Sequence, residues 1–270
     1  FWGTREPAFP YTQSPPEAEA NESDNKVPDE LLPLRHQMLE DQRFRQTIVA
    51  TGSSTLFRTH KTRVELDIDA DDTELKKNIK YIRENEAITD VVFSAKKDIT
   101  EKLSRLRHII KSLENVSHVS AYRLRSHKFA QNPEVFNRSI IKNLATFSKL
   151  EIVNPKRMEI ETQFLHSSEI SADHGKIAHE LRNYGITVYN NTPLLPNVND
   201  NSSEILKIAY KCRENGIEFH HLYIAGLPVQ KKWEQEYPLD ISGLLDMATY
   251  IRRYESGRSI PRLIVRKGGR

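Results

Sequence analysis

Residues 51–63, TGSSTLFRTHKTR, concentrate hydroxyl, imidazole and cationic side chains directly after the apolar run Thr47-Ile48-Val49-Ala50. That succession predicts a loop leaving the first strand of a barrel, where catalytic or cofactor-binding groups would stand. The side chains offered are poor ligands for a soft metal. Ser54 carries a hydroxyl, while Arg58 and Lys61 carry positive charge with no accessible lone pair near neutral pH. The single cysteine, Cys212, falls in a predicted helix at 203–215, so the chain has neither a thiolate trio nor an intramolecular disulfide. One cysteine points to a reducing compartment, cytoplasm or mitochondrial matrix. His220 and His221 alternate on a predicted strand and are expected to face opposite sides, which argues against a shared metal. No Ser-His-Asp set, Walker loop or dinucleotide glycine fingerprint is present.

The elements that would position these groups alternate regularly. Strand-like runs fall at 46–50, 90–94, 119–124, 157–164, 187–191, 217–224 and 260–265, with helical patterns between them at 73–85, 99–114, 133–150, 172–184, 203–215 and 239–254. Asp71-Asp72, Asn215-Gly216 and Ser256-Gly257 punctuate helix ends. Strands separated by helices of a dozen residues imply right-handed crossovers and a parallel sheet. Six such units and a final strand suit a partial or open (β/α)6-type TIM barrel spanning 46–270, with function at the carboxyl ends of the strands. Lys61, Lys96 and Asp98 are then the titratable groups to watch at the barrel mouth.

Residues 1–45 are rich in Pro, Glu, Ser and Asn without sustained periodicity and read as an extended or disordered N-terminal arm. Phe1, Trp2, Phe9 and Tyr11 are many aromatics for a solvated tail, so an arm docked on its own barrel or on a neighbour stands beside plain disorder. The arm and the barrel surface are the expected protein contacts. The chain is 37% hydrophobic and 29% charged, with a formal charge of +3 and a pI near 8.8. Acids and bases are interspersed along it, so there is no dense basic tract, and nucleic acid is a partner the composition permits without favouring. No apolar run approaches the ~20 residues of a membrane helix. Triplets such as Asn115-Val116-Ser117 are read as chance matches to a glycosylation signal.

Several stretches together resemble the lysine 2,3-aminomutase family of radical S-adenosylmethionine (SAM) enzymes. That family carries a threonine, Cys-x-x-x-Cys-x-x-Cys and Thr-Arg after its first strand. Here Thr51, His60, Thr62 and Arg63 match the frame, and the cysteine positions fall on Ser54, Arg58 and Lys61. Ser94-Ala95-Lys96-Lys97-Asp98 occupies the place of the family's Ser-Gly-Gly-Asp. Arg123-Leu124-Arg125-Ser126 resembles its Arg-Ile-Gly-Ser. Thr162-Gln163-Phe164-Leu165-His166 resembles Thr-His-Phe-Asn-His, and Leu194-Leu195-Pro196-Asn197-Val198-Asn199-Asp200 resembles Leu-Leu-Arg-Gly-Val-Asn-Asp. Ile264-Val265 matches the last strand end, but Arg266 stands at the family's aspartate. Lys267-Gly268-Gly269-Arg270 only echoes the loop that holds pyridoxal phosphate.

The resemblance implies the barrel fold and a degenerate site. Family enzymes use a 4Fe-4S cluster, SAM and pyridoxal phosphate. The substituted positions Ser54, Arg58, Lys61, Ala95, Lys96 and Arg125 lead to the expectation that none of these cofactors is bound. Arg63 falls on the arginine that meets the substrate carboxylate and Asp200 on the aspartate that meets its distal amine, so a residual ligand pocket is one expectation. His166 and the Asn199-Asp200 pair have structural readings beside these, as a hydrogen-bonded histidine and a helix cap. The expected function is a catalytically inactive, aminomutase-like pseudoenzyme with a structural or regulatory role, a subunit of a larger assembly. The alternative is an amino-acid-binding or aminomutase-like enzyme using altered chemistry at the mouth. A third reading is nucleic-acid contact within a ribonucleoprotein.

Overall fold

The computed structural model describes residues 51–148, 154–257 and 259–265. The expected first strand at 46–50, the arm at 1–45 and the terminal 266–270 lie outside them. Eight strands form one sheet in sequence order: β1 (Leu56–His60), β2 (Arg63–Asp67), β3 (Asp90–Ser94), β4 (Ala121–Arg125), β5 (Arg157–Thr162), β6 (Thr187–Pro193), β7 (Glu218–Ala225) and β8 (Arg262–Val265). Strands β2 to β8 are parallel; β1 is antiparallel to β2. Because β1 and β8 do not pair, the barrel is open, as the alternation of elements predicts.

The register of the start differs from expectation. Residues 51–63 are not a loop: most of them form β1 and a two-residue turn, and the first parallel strand begins at Arg63. The hairpin is hard to see in the sequence because only RVELD alternates apolar and polar side chains, while Arg58 to Arg63 is an unbroken polar run that reads as a loop.

The helices are α1 (Asp72–Glu84), α2 (Leu103–Leu113), α3 (Lys128–Gln131), α4 (Arg138–Ala145), α5 (Ala172–Asn183), α6 (Ser202–Glu214), α7 (Pro228–Trp233) and α8 (Ile241–Tyr254). Asp71 caps α1 by accepting from the N–H groups of Thr73 and Glu74, and Asn137 caps α4 in the same way. The expected helix at 133–150 is shorter, because Pro133 opens a 3₁₀ turn and the capping Asn137 restarts the chain. Gly185 and Gly216 end α5 and α6 with φ of 73° and 68°, conformations that cost glycine little.

The main core lies between the outer face of the sheet and the helices. Leu66, Phe93, Tyr122, Leu124, Met158, Ile160, Val188 and Leu222 from the strands meet Ile79, Ile82, Leu106, Ile109, Ile141, Leu181, Ile205 and Ile208 from the helices. Every second strand residue is therefore committed to the helices. Its neighbours face the concave side.

Candidate functional site

Strand alternation gives the concave face an unusual composition. β2 contributes Arg63, Glu65 and Asp67, β4 contributes Arg123 and Arg125, and β5 contributes Glu159 and Glu161. Glu65, Arg123, Arg125, Glu159 and Glu161 join into a lattice of ion pairs. Arg123 meets Glu159 at 2.6 Å and Glu161 at 3.4 Å, while Arg125 meets Glu65 at 2.8 Å and Glu161 at 2.9 Å. The side chains of Arg123 and Glu159 are only 8% and 1% exposed. Burial alone would raise the Glu161 carboxyl, but Arg125, Arg123 and Arg63 overcome it and hold it well below the usual carboxylate range. Arg123 also lies 5.5 Å from the ring centre of Tyr189 on β6.

From β6 onward the interior of the concave face is neutral, with Glu218 and Arg262 as charges at the amino ends of β7 and β8. Asn191 of β6 pairs with His221 of β7, but Asn190 pairs with Phe219, so β7 carries a bulge with His220 as its extra residue. The bulge corrects the expectation that the two histidines face opposite sides: their ring centres are 3.9 Å apart. His221 Nδ1 donates to Asn191 Oδ1 at 3.0 Å, and the His220 ring meets Tyr189 edge-on at 5.1 Å. Burial, then the neighbouring Arg123 and Arg262, lower His220 to about 4; burial, then His220 itself, lower His221 to about 3. Both rings are neutral at pH 7 and present N–H and lone-pair edges side by side. Among the described residues no three His, Cys, Asp or Glu groups converge as a metal site would require.

The hairpin spreads the three cluster-frame positions apart. Leu56 pairs with Leu66 near the carboxyl end of β2, and His60 pairs with Arg63 at its amino end. Ser54 thus lies before β1 at the mouth end, whereas Lys61 sits in the turn at the opposite end, more than about 13 Å away at ~3.3 Å per strand residue. Ser54 and Lys61 are exposed, and Arg58 is buried. Arg58 donates to the Tyr81 hydroxyl (3.0 Å), Asn85 Oδ1 (3.3 Å) and the Lys61 carbonyl (2.7 Å), fastening the hairpin to the end of α1. Neither Arg58 nor Lys61 reaches the mouth.

At the mouth, Lys96 is exposed and its backbone N–H donates to Asp69. Ala95 is half-buried against the core. Asp98 is buried and accepts from Thr100, the Ser126 hydroxyl and the Lys128 N–H, stapling the loop after β3 to the loop after β4. Burial raises its pKa against those hydrogen bonds. His166 caps a 3₁₀ turn through Nδ1 and meets Glu204 at 3.2 Å through Nε2, a structural arrangement.

The loop after β6 explains one motif. Asn197, at the resemblance's glycine, has φ of 63°, a conformation asparagine tolerates better than most residues. Asn199 accepts from the Leu195 N–H and donates to the Leu165 and Pro193 carbonyls, closing the loop. The cap of α6 is Asn201, not Asn199 or Asp200. Asp200 is half-buried at the mouth end, while Arg63 opens β2 at the amino end, so their backbones lie at opposite ends of the sheet. The Arg63 side chain nevertheless acts on Glu161, His220 and His221. Its Nε is shielded from solvent and meets no acceptor among the described residues. Cys212 is buried beside Asn190, and burial pushes its thiol up, away from thiolate chemistry.

Sequence reasoning missed the Arg–Glu lattice. The available signal was Arg-x-Arg at the end of and just past the strand expected at 119–124 and Glu-x-Glu in the next, same-face charges of opposite sign on adjacent strands.

No family model matches the chain. It is similar to the glutamate 2,3-aminomutase of Clostridioides difficile (strain 630), 26% identical over 204 residues, covering 72% of this chain and 44% of that protein. The L-lysine 2,3-aminomutase of Methanococcus maripaludis is 27% identical over 192 residues, covering 71% and 42% respectively. The L-lysine 2,3-aminomutase of Fusobacterium nucleatum is 22% identical over 268 residues, covering 97% and 60%. The chain spans about half the length of the curated relatives it matches.

These relatives correct the expectation of a chain without cofactors. They are 2,3-aminomutases, and the resembled family works with a 4Fe-4S cluster, SAM and pyridoxal phosphate. Missing thiolates describe one ligand set in one segment and do not decide cofactor content. At that segment the donors are a hydroxyl, a guanidinium and an ammonium, strung along a hairpin, and they do not fit the three-thiolate arrangement.

Proposed function

We propose, for a chain that belongs to the lysine 2,3-aminomutase-like family on the strength of those relatives, a structural or regulatory role within a larger assembly, without turnover of its own. The observation that carries this reading is the hairpin at the cluster frame, where Arg58 is a buried structural clamp. The lattice supports it. Arg125, where the resembled pattern has glycine, extends across the concave face to Glu65 and Glu161. The test is an anaerobic assay of purified chain, supplied with iron, sulfide, SAM and pyridoxal phosphate, for amino migration on lysine and glutamate. No migrated product is expected; sustained turnover overturns the proposal. Cofactor content is a separate property, measured on the same sample as iron, acid-labile sulfide and pyridoxal absorbance.

A second reading, an amino-acid site on the concave face, is favoured by Arg63, whose shielded Nε has no acceptor among the described residues. Asp200 is its proposed partner from the mouth. Calorimetric titration with lysine and glutamate tests it: binding abolished by Arg63→Gln supports the site, and no heat with the wild-type chain removes it.

A further inference from the structure

The fold gathers cations that the sequence keeps apart. Helices α1, α2 and α4 are neighbours on the convex side: Arg83 of α1 donates to the Ser112 carbonyl of α2, and Arg107 of α2 bonds Asn143 of α4. The three helices carry nine Lys and Arg against three Asp and Glu, a local charge of +6 in a chain whose formal total is +3. Lys76, Lys77, Arg107, Lys111, Arg138 and Lys142 are all exposed. Within the three helices the acids are outnumbered: Asp72 pairs with Arg105 and Glu84 with Lys80, Glu74 accepts from the Thr55 hydroxyl and keeps its charge, and α2 and α4 contain no carboxylate, while Asp71, Glu86 and Glu114 stand at the helix ends. Helices α5, α6 and α8 carry seven cations against five acids. In sequence the three groups are about thirty residues apart, which is why no basic tract is visible there.

We propose that the outer face of α1, α2 and α4 binds the phosphate backbone of double-stranded nucleic acid. A row of exposed cations with few carboxylates suits a regular line of phosphates. A membrane surface fits less well, because interfacial helices combine cations with exposed apolar side chains. Among the described residues the large exposed hydrophobic side chains, Tyr184, Tyr210, Leu245, Tyr250, Tyr254 and Leu263, all lie in the other half of the molecule. The absence of fully exposed aromatic rings on this face among the described residues argues against base stacking on single strands. Recognition is therefore of the backbone and independent of sequence.

The experiment is fluorescence anisotropy of a labelled 20-base-pair DNA duplex titrated with the whole chain at 50 and 200 mM salt. Four or five phosphate contacts give a log–log salt slope of about −4, a loss of affinity of roughly 200-fold across that range. The combined Lys77→Glu, Lys111→Glu and Lys142→Glu variant is expected to bind at least about tenfold more weakly, with an unchanged far-UV spectrum. The Lys207→Glu and Lys211→Glu pair on α6 is expected to bind like wild type. Absence of binding at 50 mM salt, a salt-insensitive affinity, equal binding by the triple variant, or preference for phosphatidylserine vesicles or polyglutamate over the duplex would each overturn the proposal. The salt slope of the wild-type chain tests it independently of any variant.

Discussion

The amino and carboxyl halves of this barrel dispose of charge in opposite ways. From β2 to β5 the concave face holds paired Arg and Glu, and the helices outside hold exposed cations. From β6 to β8 the interior of the concave face holds neutral His, Tyr and Asn, with charge only at the strand starts, Glu218 and Arg262, and the outside holds exposed Tyr and Leu. Both halves use the same βα unit and the same apolar interlayer, so the architecture does not dictate the difference. It resides in the alternate strand positions that the core leaves free. A parallel barrel therefore tolerates either a charged or a neutral lumen, provided each polar group finds its partner.

The sharpest way to break the comparison is at Glu161, which joins both arginines of the lattice. Glu161→Gln leaves two guanidiniums short of a buried counter-charge and is expected to cost about 3–5 kcal/mol in urea unfolding. Asn191→Ala in the neutral half removes one hydrogen bond, to His221, and is expected to cost about 1–2 kcal/mol. Equal costs would show that the two luminal faces are energetically alike.

Acid should also separate the halves. His220 and His221 have folded pKa values below their unfolded value, so the unfolded chain binds more protons and stability falls as pH drops from about 6.5 through about 4 to about 3. Glu161 is depressed too, so its contribution is present above the usual carboxylate pKa and is lost only as pH falls below it. The His220→Asn and His221→Asn double variant should flatten the decline between pH 6.5 and about 4.5, worth about 2 kcal/mol after allowance for partial exposure, and leave the steeper decline below it. A variant that retains the upper decline would place its origin elsewhere, His166 and His174 being the other histidines lowered by burial.

Much of this architecture is legible in the sequence, because period-2 and period-3.6 patterns are direct consequences of burial. Strand β3 falls on its expected strand-like run, and α6 ends where the Asn215-Gly216 signal puts it. The β1–β2 hairpin was not legible. The polar run Arg58-Thr59-His60-Lys61-Thr62-Arg63 carries no apolar alternation, and it and the family frame both pointed to a loop. The bulge at His220 was not legible either, because an inserted residue leaves no mark in a pattern that assumes strict alternation. Residues of the site were read by type at Ser54, Arg58 and Lys61, yet their separation along a hairpin depends on strand pairing, which is a long-range property. Pairing also creates the Arg–Glu lattice: Arg123, Glu159 and Glu161 sit in expected strands, but Arg125 lies just past one and Glu65 belongs to β2, which was not expected.

The smallest expected effect concerns the same charge placed outside. Reversing Lys77, Lys111 or Lys142 one at a time removes a cation from water and from no ion pair among the described residues, so each should shift unfolding stability by less than about 0.5 kcal/mol. If mutual repulsion within the basic face is appreciable, each reversal should instead stabilise slightly, and the gain should vanish in 0.5 M salt because screening shortens the Debye length to about 4 Å. The interior pairs should not respond to salt in that way, since buried charges are screened much less. Urea midpoints of Lys111→Glu and Glu161→Gln, each at low and high salt, thus distinguish charge held for a partner outside the molecule from charge already partnered within it.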